Sequence, residues 1–179
     1  MLTANTTQRG FTIIEIMIAI GVFALLLGIG LPSFRGWMQN SQIRNAADAL
    51  IDGIQLARAE AIRRNKPVEF DMRAGTNWDI VLVNPRSTLQ SRAGDEGSKK
   101  AVISTTPAGS DRVTFNPIGA PAGTNQNGSF PITQIDIAGA DTNLEGYRPL
   151  RIVISVSGGV RMCDPDANLQ ANDPRRCTQ

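Results

Sequence analysis

The spacing of apolar residues changes twice along the chain and predicts three kinds of structure. From 11 to 31 every residue except Thr12 and Glu15 is apolar or glycine, and such a run is long enough to cross a membrane as a helix. From 32 to 65 apolar residues recur at three- and four-residue steps, which is typical of an amphipathic helix. After Pro67, short apolar runs alternate with turn residues and predict strands.

The amphipathic segment predicts that one face of the helix backs a folded domain. Lys66 and Pro67 mark the predicted end of this helix. Pro32 has no backbone N–H to donate, so it predicts a kink between the two halves, and a simple helix end in a connector is the alternative. The apolar stripe consists of Ile43, Ala46, Ala47, Leu50, Ile51, Ile54, Ala57, Ala61 and Ile62.

The remainder of the chain, 66–179, predicts a β-rich globular domain. Two polar stretches that are rich in glycine and proline, 84–100 and 116–128, are interpreted as exposed loops. A long helix packed on antiparallel sheet belongs to the α+β class. Strands are predicted at 68–72, 78–83, 101–104, 112–115, 130–137, 150–156 and 160–163.

Composition narrows the range of functions. The 179 residues suffice for one globular domain with an appended segment. The chain has no histidine, the commonest general base and metal ligand, and it has no GxGxxG, P-loop, GxSxG or HExxH motif. We therefore expect no enzymatic activity, no cofactor and no metal. Scattered carboxylates such as Asp71 and Asp79 are interpreted as solvated or capping groups, and calcium at Asp164, Asp166 and Asp173 is the alternative for the C-terminal acids.

The two cysteines, Cys163 and Cys177, enclose a polar loop. Without histidine or further cysteines they cannot complete a zinc site. A disulfide is the natural pairing, and closing a loop of about 15 residues stabilises the fold by about 3 kcal/mol in the chain-entropy model. A disulfide also predicts an oxidising compartment. Two unpaired cysteines in a cytosolic protein are the alternative.

Glu15 stands in the apolar run, where a carboxylate costs about 3 kcal/mol on membrane-insertion scales. Cleavage between Gly10 and Phe11 would give it a partner, because the new α-amine of Phe11 would lie one helical turn away or would face Glu15 of a neighbouring subunit. The pair would then fix the register between helices. An ordinary secretory signal that is cut after the small residues 28–30 is the alternative.

The stretch "RGFTIIE", 9–15, resembles the type III signal of type IV pilins and pseudopilins. The resemblance implies a leader peptide, 1–10, that a prepilin peptidase removes after Gly10, N-methylation of Phe11, and a role for Glu15 in assembly. It also implies a single-pass protein of the bacterial inner membrane. The helix, 11–65, would use 11–31 as its transmembrane and filament-core half, the globular domain would lie in the periplasm, and an inner-membrane assembly platform would deliver the protein to the pilus tip at the cell surface.

Two further stretches are similar to the FimU/FimT/GspH group of minor pilins and pseudopilins: "GIQLARAEAIRRNKPVEF", 53–70, and "VTFNPIGAP", 113–121. The cysteine loop also resembles that group, in which a disulfide-bonded C-terminal loop is common. The resemblance implies a pilin-like fold and a minor pilin that primes pilus assembly and joins the tip complex, in adhesion or twitching motility. Its partners would be other minor pilins and the major pilin.

Two alternatives for the function stay open. FimT-type members bind DNA through a Gly-Arg-x-Arg pattern, and this chain has Gly158-Gly159-Val160-Arg161, which keeps the final arginine and lacks the first. The net charge of +2 is mild for a protein dedicated to nucleic acid. A GspH-like place in a type II secretion pseudopilus would differ in the machine that the protein serves. The candidate DNA-binding residues are the arginines of the last strands and the cysteine loop: Arg148, Arg151, Arg161, Arg175 and Arg176.

Overall fold

The protein is described by a computed structural model. It describes residues 10–94, 97–144, 146–170 and 172–177, of which residues 29–33 are described by their backbone alone. The chain divides into one unit that ends at Arg35 and a second unit that begins at Gly36.

One long helix, α1, runs over Ile13–Arg64 and has residues in both units. Eight strands follow it in the part of the chain that is described. They are β1 Val68–Met72, β2 Trp78–Leu82, β3 Ser87–Arg92, β4 Ala101–Thr106, β5 Arg112–Phe115, β6 Gln134–Gly139, β7 Leu150–Ile154 and β8 Val160–Cys163.

The strands form two four-stranded sheets. The first sheet has the order β3-β2-β1-β5 and the second the order β4-β6-β7-β8. Every pairing is antiparallel. The predicted α+β class, a long helix packed on antiparallel sheet, is confirmed.

The core of the globular unit lies between α1 and the inner faces of the two sheets. Trp78 ties the helix to the first sheet, because its Nε1 donates to the carbonyl oxygen of Ala49 at 3.1 Å. Gly53 leaves room for the rings of Phe70 and Trp78, since a Cβ there would lie 2.8 Å from an atom of each. The buried cluster contains Ile43, Ala46, Ala47, Leu50, Ile54, Ala57, Ala61, Val68, Phe70, Trp78, Ile80, Leu82, Val113, Phe115, Ile132, Ile135, Ile137, Ile152 and Ile154.

The predicted apolar stripe is confirmed for most of its length, with Ile51 partly buried and Ile62 half-exposed. Strand β3 is where the prediction is wrong, because Ser87–Arg92 lies inside the stretch that was expected to be a loop. This strand sits at a sheet edge and is largely exposed on both faces, so its sequence shows no apolar alternation. The strand expected at 130–137 begins later, at Gln134, and ends at Gly139.

One prediction concerns residues that are not described, and another concerns a segment described by its backbone alone. The leader peptide, 1–10, lies outside them except for Gly10. The kink at Pro32 falls on the segment described by its backbone alone, and it stays a prediction. Within the residues that are described, no helix combines the length and the hydropathy of a membrane span.

The outer face of the first sheet carries a buried ion-pair cluster, which we define as Glu69, Asp71, Arg86 and Arg112. Glu69 is 0% and Asp71 is 2% exposed, so the interpretation of Asp71 as a solvated group is wrong. Arg86 Nη2 and Arg112 Nη1 each lie 3.3 Å from Glu69 Oε1. Arg112 Nη2 lies 3.5 Å from Asp71 Oδ1. Two buried carboxylates thus share Arg112, which lies in β5, and Arg86, which lies in the turn before β3. Asp71 also has Arg73 Nη2 at 3.2 Å.

The loop that contains Asn125 and Gln126 is hydrogen-bonded to this cluster and to the strand beside it. The amide of Asn125 holds the loop, because its Oδ1 accepts from the backbone N–H of Thr114 at 3.0 Å and its Nδ2 donates to the carbonyl oxygen of Arg112 at 3.2 Å. Thr114 Oγ1 in turn donates to Glu69 Oε2 at 3.3 Å. Arg112 also pairs with its neighbour Asp111 and holds the pKa of that carboxyl below its usual value through side-chain hydrogen bonds.

Candidate functional site

The N-terminal half of α1 is apolar all the way round. In the unit that ends at Arg35, large apolar side chains are exposed on successive positions, so no single face of the helix is buried. A helix that is hydrophobic on every side needs an apolar environment such as a lipid bilayer or the centre of a helix bundle. The exposed residues include Phe11, Ile13, Ile14, Met17, Ile18, Ile20, Val22, Phe23, Leu25 and Leu26.

The start of α1 gives Glu15 a local role that the sequence analysis missed. The helix begins at Ile13, which makes Thr12 its N-cap, and Thr12 Oγ1 accepts a hydrogen bond from the backbone N–H of Glu15 at 3.2 Å. The spacing Thr-x-x-Glu is the signature of a capping box. A carboxylate in the first turn is also favoured by the helix dipole. Glu15 therefore stands at the one end of a helix where a negative charge is stabilised.

The C-terminal loop is closed by the disulfide between Cys163 and Cys177, as predicted, with a Cα–Cα distance of 5.0 Å. The two ends of the loop pair through their backbones, since the N–H of Asp164 donates to the carbonyl oxygen of Arg175 at 2.7 Å and the N–H of Cys177 donates to that of Asp164 at 3.2 Å. The loop is thus an extension of β8 that folds back on itself.

The carboxylates of this loop accept hydrogen bonds from residues of the loop itself. Asp164 Oδ1 accepts from the N–H of Asp166, and Asp166 Oδ1 accepts from the N–H of Asn168. Asp173 binds Arg175 with two hydrogen bonds, which lower the pKa of Asp173 to about 2. Among the described residues, no group of three or more acidic or cysteine side chains is arranged to hold a metal ion.

The structure divides the five candidate DNA-binding arginines among three separate places. Arg148 and Arg175 line one groove beside α1. Arg151 lies on the opposite face of β7 from the core residue Ile152, and its Nε is 2.5 Å from Asp136 Oδ1. Arg161 pairs in register with Val153 and shares that outer face. Arg176 forms a backbone bridge to Asp164 inside the cysteine loop.

The groove beside α1 has a volume of about 730 Å³ and mixed charge. Arg44 belongs to it together with Arg148 and Arg175, and the carboxylates of Asp48 and Asp164 oppose these three arginines. Asn40 fixes its rim, because Asn40 Oδ1 accepts from the backbone N–H of Arg148 at 3.1 Å. With three cations facing two carboxylates, the groove is close to neutral.

An exposed apolar helix that continues into a β domain with a disulfide-bonded loop defines the class of type IV pilins and pseudopilins. The family model "Type II transport protein GspH" matches residues 46–158, and the "Prokaryotic N-terminal methylation motif" matches residues 5–31. The chain belongs to the GspH family. The motif and the family together imply a membrane-anchored component of a pilus or pseudopilus, and the proteins of this family and fold are structural.

Known pilins are similar to the chain over part of its length. A type IV major alpha-pilin of Moraxella bovis is 27% identical over 86 residues, which are 48% of this chain and 54% of the relative. The pilin-like protein PilA1 of Thermus thermophilus is 37% identical over 91 residues, which are 50% of this chain and 57% of the relative. The chain therefore spans little more than half the length of these relatives.

The fold is that of a solved minor pilin. The crystal structure of the type IV minor pilin FimU of Pseudomonas aeruginosa, in space group P21, superposes with a TM-score of 0.52 and covers 70% of this chain and 91% of its own. The sequences are 18% identical in this comparison, so the similarity concerns the fold.

Proposed function

We propose that this chain is a minor type IV pilin that primes pilus assembly and forms part of the tip complex, in adhesion or twitching motility. The observation that carries the proposal is the first half of α1, which exposes apolar side chains on all sides next to an N-terminal methylation motif. Such a helix is stored in the inner membrane and then packs among the helices of other minor pilins and the major pilin. The globular domain stays in the periplasm until an inner-membrane assembly platform adds the subunit to the filament.

In this proposal Gly10 and Phe11 are the processing site. Prepilin peptidase cuts between them and the new amine of Phe11 is methylated. The methylation motif, matched over 5–31, supports the position of the cut. The mass of the protein extracted from membranes tests it: a chain that begins with methylated Phe11 is expected, and a chain that begins at Leu31 contradicts the proposal.

Glu15 is the residue that we expect to fix the register of the helix in the filament. Its place in the first turn predicts only a modest effect, because the hydrogen bond to Thr12 Oγ1 is made by the backbone N–H of Glu15 and survives a change of its side chain. Its charge predicts a larger one, since the amine of Phe11 in an apolar bundle is left without a counter-charge if the carboxylate is removed.

Two variants separate these roles. Glu15→Gln keeps the size of the side chain and removes the charge, whereas Thr12→Ala removes the cap and keeps the charge. We expect both variants to reach the membrane fraction like the unchanged chain, and only Glu15→Gln to be lost from sheared filaments. Equal loss of the two variants would mean that the capped start of the helix matters rather than the charge, and unchanged incorporation of Glu15→Gln would refute the register role.

Uptake of DNA is a second candidate function, and the observation that favours it is the position of Arg148 and Arg175 beside Arg44 in one groove. Duplex DNA binding by the full chain in detergent, measured across a salt series, tests it. A DNA receptor binds with an affinity that falls steeply as the salt concentration rises. Its Arg148→Ala/Arg175→Ala variant would no longer bind DNA. An Arg63→Ala/Arg64→Ala variant removes the same charge elsewhere and is the control. The near-neutral groove leads us to expect no binding.

A place in a type II secretion pseudopilus is favoured by membership of the GspH family of type II transport proteins. In a pseudopilus the apolar helix would have the same role, and only the filament that receives the subunit would differ. Recovery of the chain from sheared pili supports the first proposal, and recovery from a pseudopilus without recovery from pili supports this one.

A further inference from the structure

Three exposed apolar residues lie in three separate elements that contact one another at the C-terminal end of α1. Ile62 lies in the last turn of the helix and is 50% exposed, Ile118 lies in the turn after β5 and is 81% exposed, and Val156 lies in the turn between β7 and β8 and is 94% exposed. We name these three residues the apolar platform.

Arg58 joins the three elements. Its Nε donates to the carbonyl oxygen of Gly119 at 2.9 Å, and its Nη2 donates to that of Ser157 at 3.4 Å. One guanidinium on the helix therefore binds a carbonyl in each of the two turns. The turns that present Ile118 and Val156 are thereby fixed to the helix that presents Ile62.

Two glycines let the turns approach each other and the helix. Gly119 and Gly158 have φ angles of 82° and 80°, in the left-handed region that favours glycine. A Cβ at Gly119 would lie 2.7 Å from Ile62 Cδ1, and a Cβ at Gly158 would overlap the carbonyl oxygen of Gly119. The backbone beneath the exposed side chains of the platform is therefore closely packed. Binding of a partner there costs little conformational entropy, because the platform is already ordered.

The surroundings of the platform are basic. The end of the helix and the residues after it carry Arg58, Arg63, Arg64 and Lys66 against the single carboxylate Glu60, which leaves a net charge of +3. Glu60 is engaged by Arg63 Nη2 and Arg64 Nε, each at 2.6 Å. Arg58 binds neutral carbonyl groups, and among the residues that the structure describes no carboxylate forms an ion pair with it. The platform is thus bordered by positive charge that the chain itself does not neutralise.

We propose that the apolar platform is the contact surface for a different pilin subunit, one that presents apolar side chains bordered by carboxylates. This inference rests on the proposed function, since it requires that the chain assembles with other pilins. A second copy of this chain does not fit, because a symmetric contact would bring two ends of net positive charge together. Nucleic acid would account for the basic border and not for the apolar side chains, because isoleucine and valine offer no aromatic ring on which a base stacks.

The test is site-specific photo-crosslinking of the full chain in cells that form filaments. The photo-reactive residue p-benzoylphenylalanine replaces Ile118 or Val156. It replaces Phe130 or Val102 in the controls, which are also exposed apolar residues but lie elsewhere in the domain. We expect crosslinks from the platform positions to a pilin of different sequence, at a peptide that contains Asp or Glu, and no such crosslinks from the control positions.

A charge-reversal pair tests the basic border. Arg63→Glu/Lys66→Glu is expected to reduce the crosslinks from Ile118 by at least about tenfold, because it replaces attraction by the costly contact of like charges. Lys99→Glu/Lys100→Glu makes the same change of charge at exposed residues outside the platform and is expected to leave the yield unchanged. Equal loss in both variants would overturn the proposed role of the basic border.

The same experiment separates failure of the inference from failure of the proposed function. If the chain is present in sheared filaments but Ile118 and Val156 give no more crosslinks than Phe130, the platform is not a subunit contact and the minor pilin proposal stands. Crosslinks to a second copy, or to a protein that is not a pilin, overturn the proposed partner. If the chain is absent from filaments of every kind, the proposed function fails and the inference fails with it.

Discussion

Replacing Arg112 by methionine is expected to destabilise the globular domain far more than the same replacement at Arg86. Both arginines lie 3.3 Å from Glu69 Oε1, so the two distances alone predict equal effects. Their environments differ, because the side chain of Arg112 is 16% exposed and that of Arg86 is 49% exposed. Arg112 also reaches Asp71 Oδ1 at 3.5 Å, whereas the distance from Arg86 to Asp71 is 3.9 Å.

The magnitudes follow from what each replacement leaves behind. Without Arg112, the carboxylates of Glu69 and Asp71 stay buried and lose their least exposed partner, and breaking a buried pair in this way costs about 3–5 kcal/mol. Arg86 is half in solvent, and a pair of that kind contributes about 0.2–1 kcal/mol. Arg112→Met therefore removes a large part of a typical domain stability of about 5–15 kcal/mol, and Arg86→Met removes little.

The assay is urea unfolding of the full chain in a mild detergent, followed by near-ultraviolet circular dichroism, which reports on the packing around Trp78. With a slope of about 1–3 kcal/mol per molar urea, Arg112→Met lowers the midpoint by at least about 1 M. Arg86→Met is the matched control, since it makes the same chemical change against the same carboxylate oxygen. If the two variants unfold at the same midpoint, burial does not decide the strength of these pairs and the reasoning is refuted.

Three further predictions concern other parts of the globular unit. Gly53→Ala is expected to destabilise the domain by about 1–3 kcal/mol through overpacking, because its Cβ would lie 2.8 Å from the rings of Phe70 and Trp78. Urea unfolding measures the change in the free energy of unfolding. A gain in stability from the better helix propensity of alanine would show that the rings can move. Reduction of the Cys163–Cys177 disulfide is expected to lower the free energy of unfolding by up to about 3 kcal/mol, whereas the reductant should not affect a Cys163→Ala/Cys177→Ala variant, and an equal effect on that variant would exclude the disulfide as the cause. The carboxyl of Asp173 should titrate with a pKa of about 2 by NMR, because Arg175 binds its charged form; this depressed pKa contributes stability that is present above the usual pKa and is lost as the pH falls towards 2. Arg175→Ala should return the pKa towards its usual value, and a titration that does not move would show that another group holds Asp173.

The parts of the fold that the sequence predicts well are those in which one apolar pattern has one explanation. The stripe that includes Ile43, Leu50 and Ile54 repeats with helical spacing over many turns, and those residues are buried against the sheets as expected. The disulfide was predictable because the chain has two cysteines and no histidine. The edge strand Ser87–Arg92 was not, since its pairing with β2 uses backbone groups and leaves no apolar periodicity in its side chains.

The candidate site shows the same limit. The methylation motif is local, so roles for Gly10, Phe11 and Glu15 could be predicted from adjacent residues, and these roles stay predictions. The five arginines could not, because their neighbours in space depend on strand register: Arg151 lies opposite Asp136, and Arg161 lies opposite Val153. The apolar platform was missed for the same reason, since Ile62, Ile118 and Val156 are far apart in sequence. The signals that could have pointed to it are the exposed position of Ile62 at the end of the stripe and the two glycine turns.

Arginine has two roles in this domain, and the difference between them indicates which surfaces remain available for a partner. Arg112, Arg151 and Arg175 each bind a carboxylate, so their charges are neutralised within the chain. Arg58 binds two carbonyl oxygens, which satisfy its hydrogen bonds and leave its charge in place. Charge that stays unneutralised beside exposed apolar side chains favours a partner with carboxylates, because attraction between opposite charges adds to burial of the apolar contact. The outer face of the first sheet lacks this combination, since its arginines are occupied by Glu69 and Asp71.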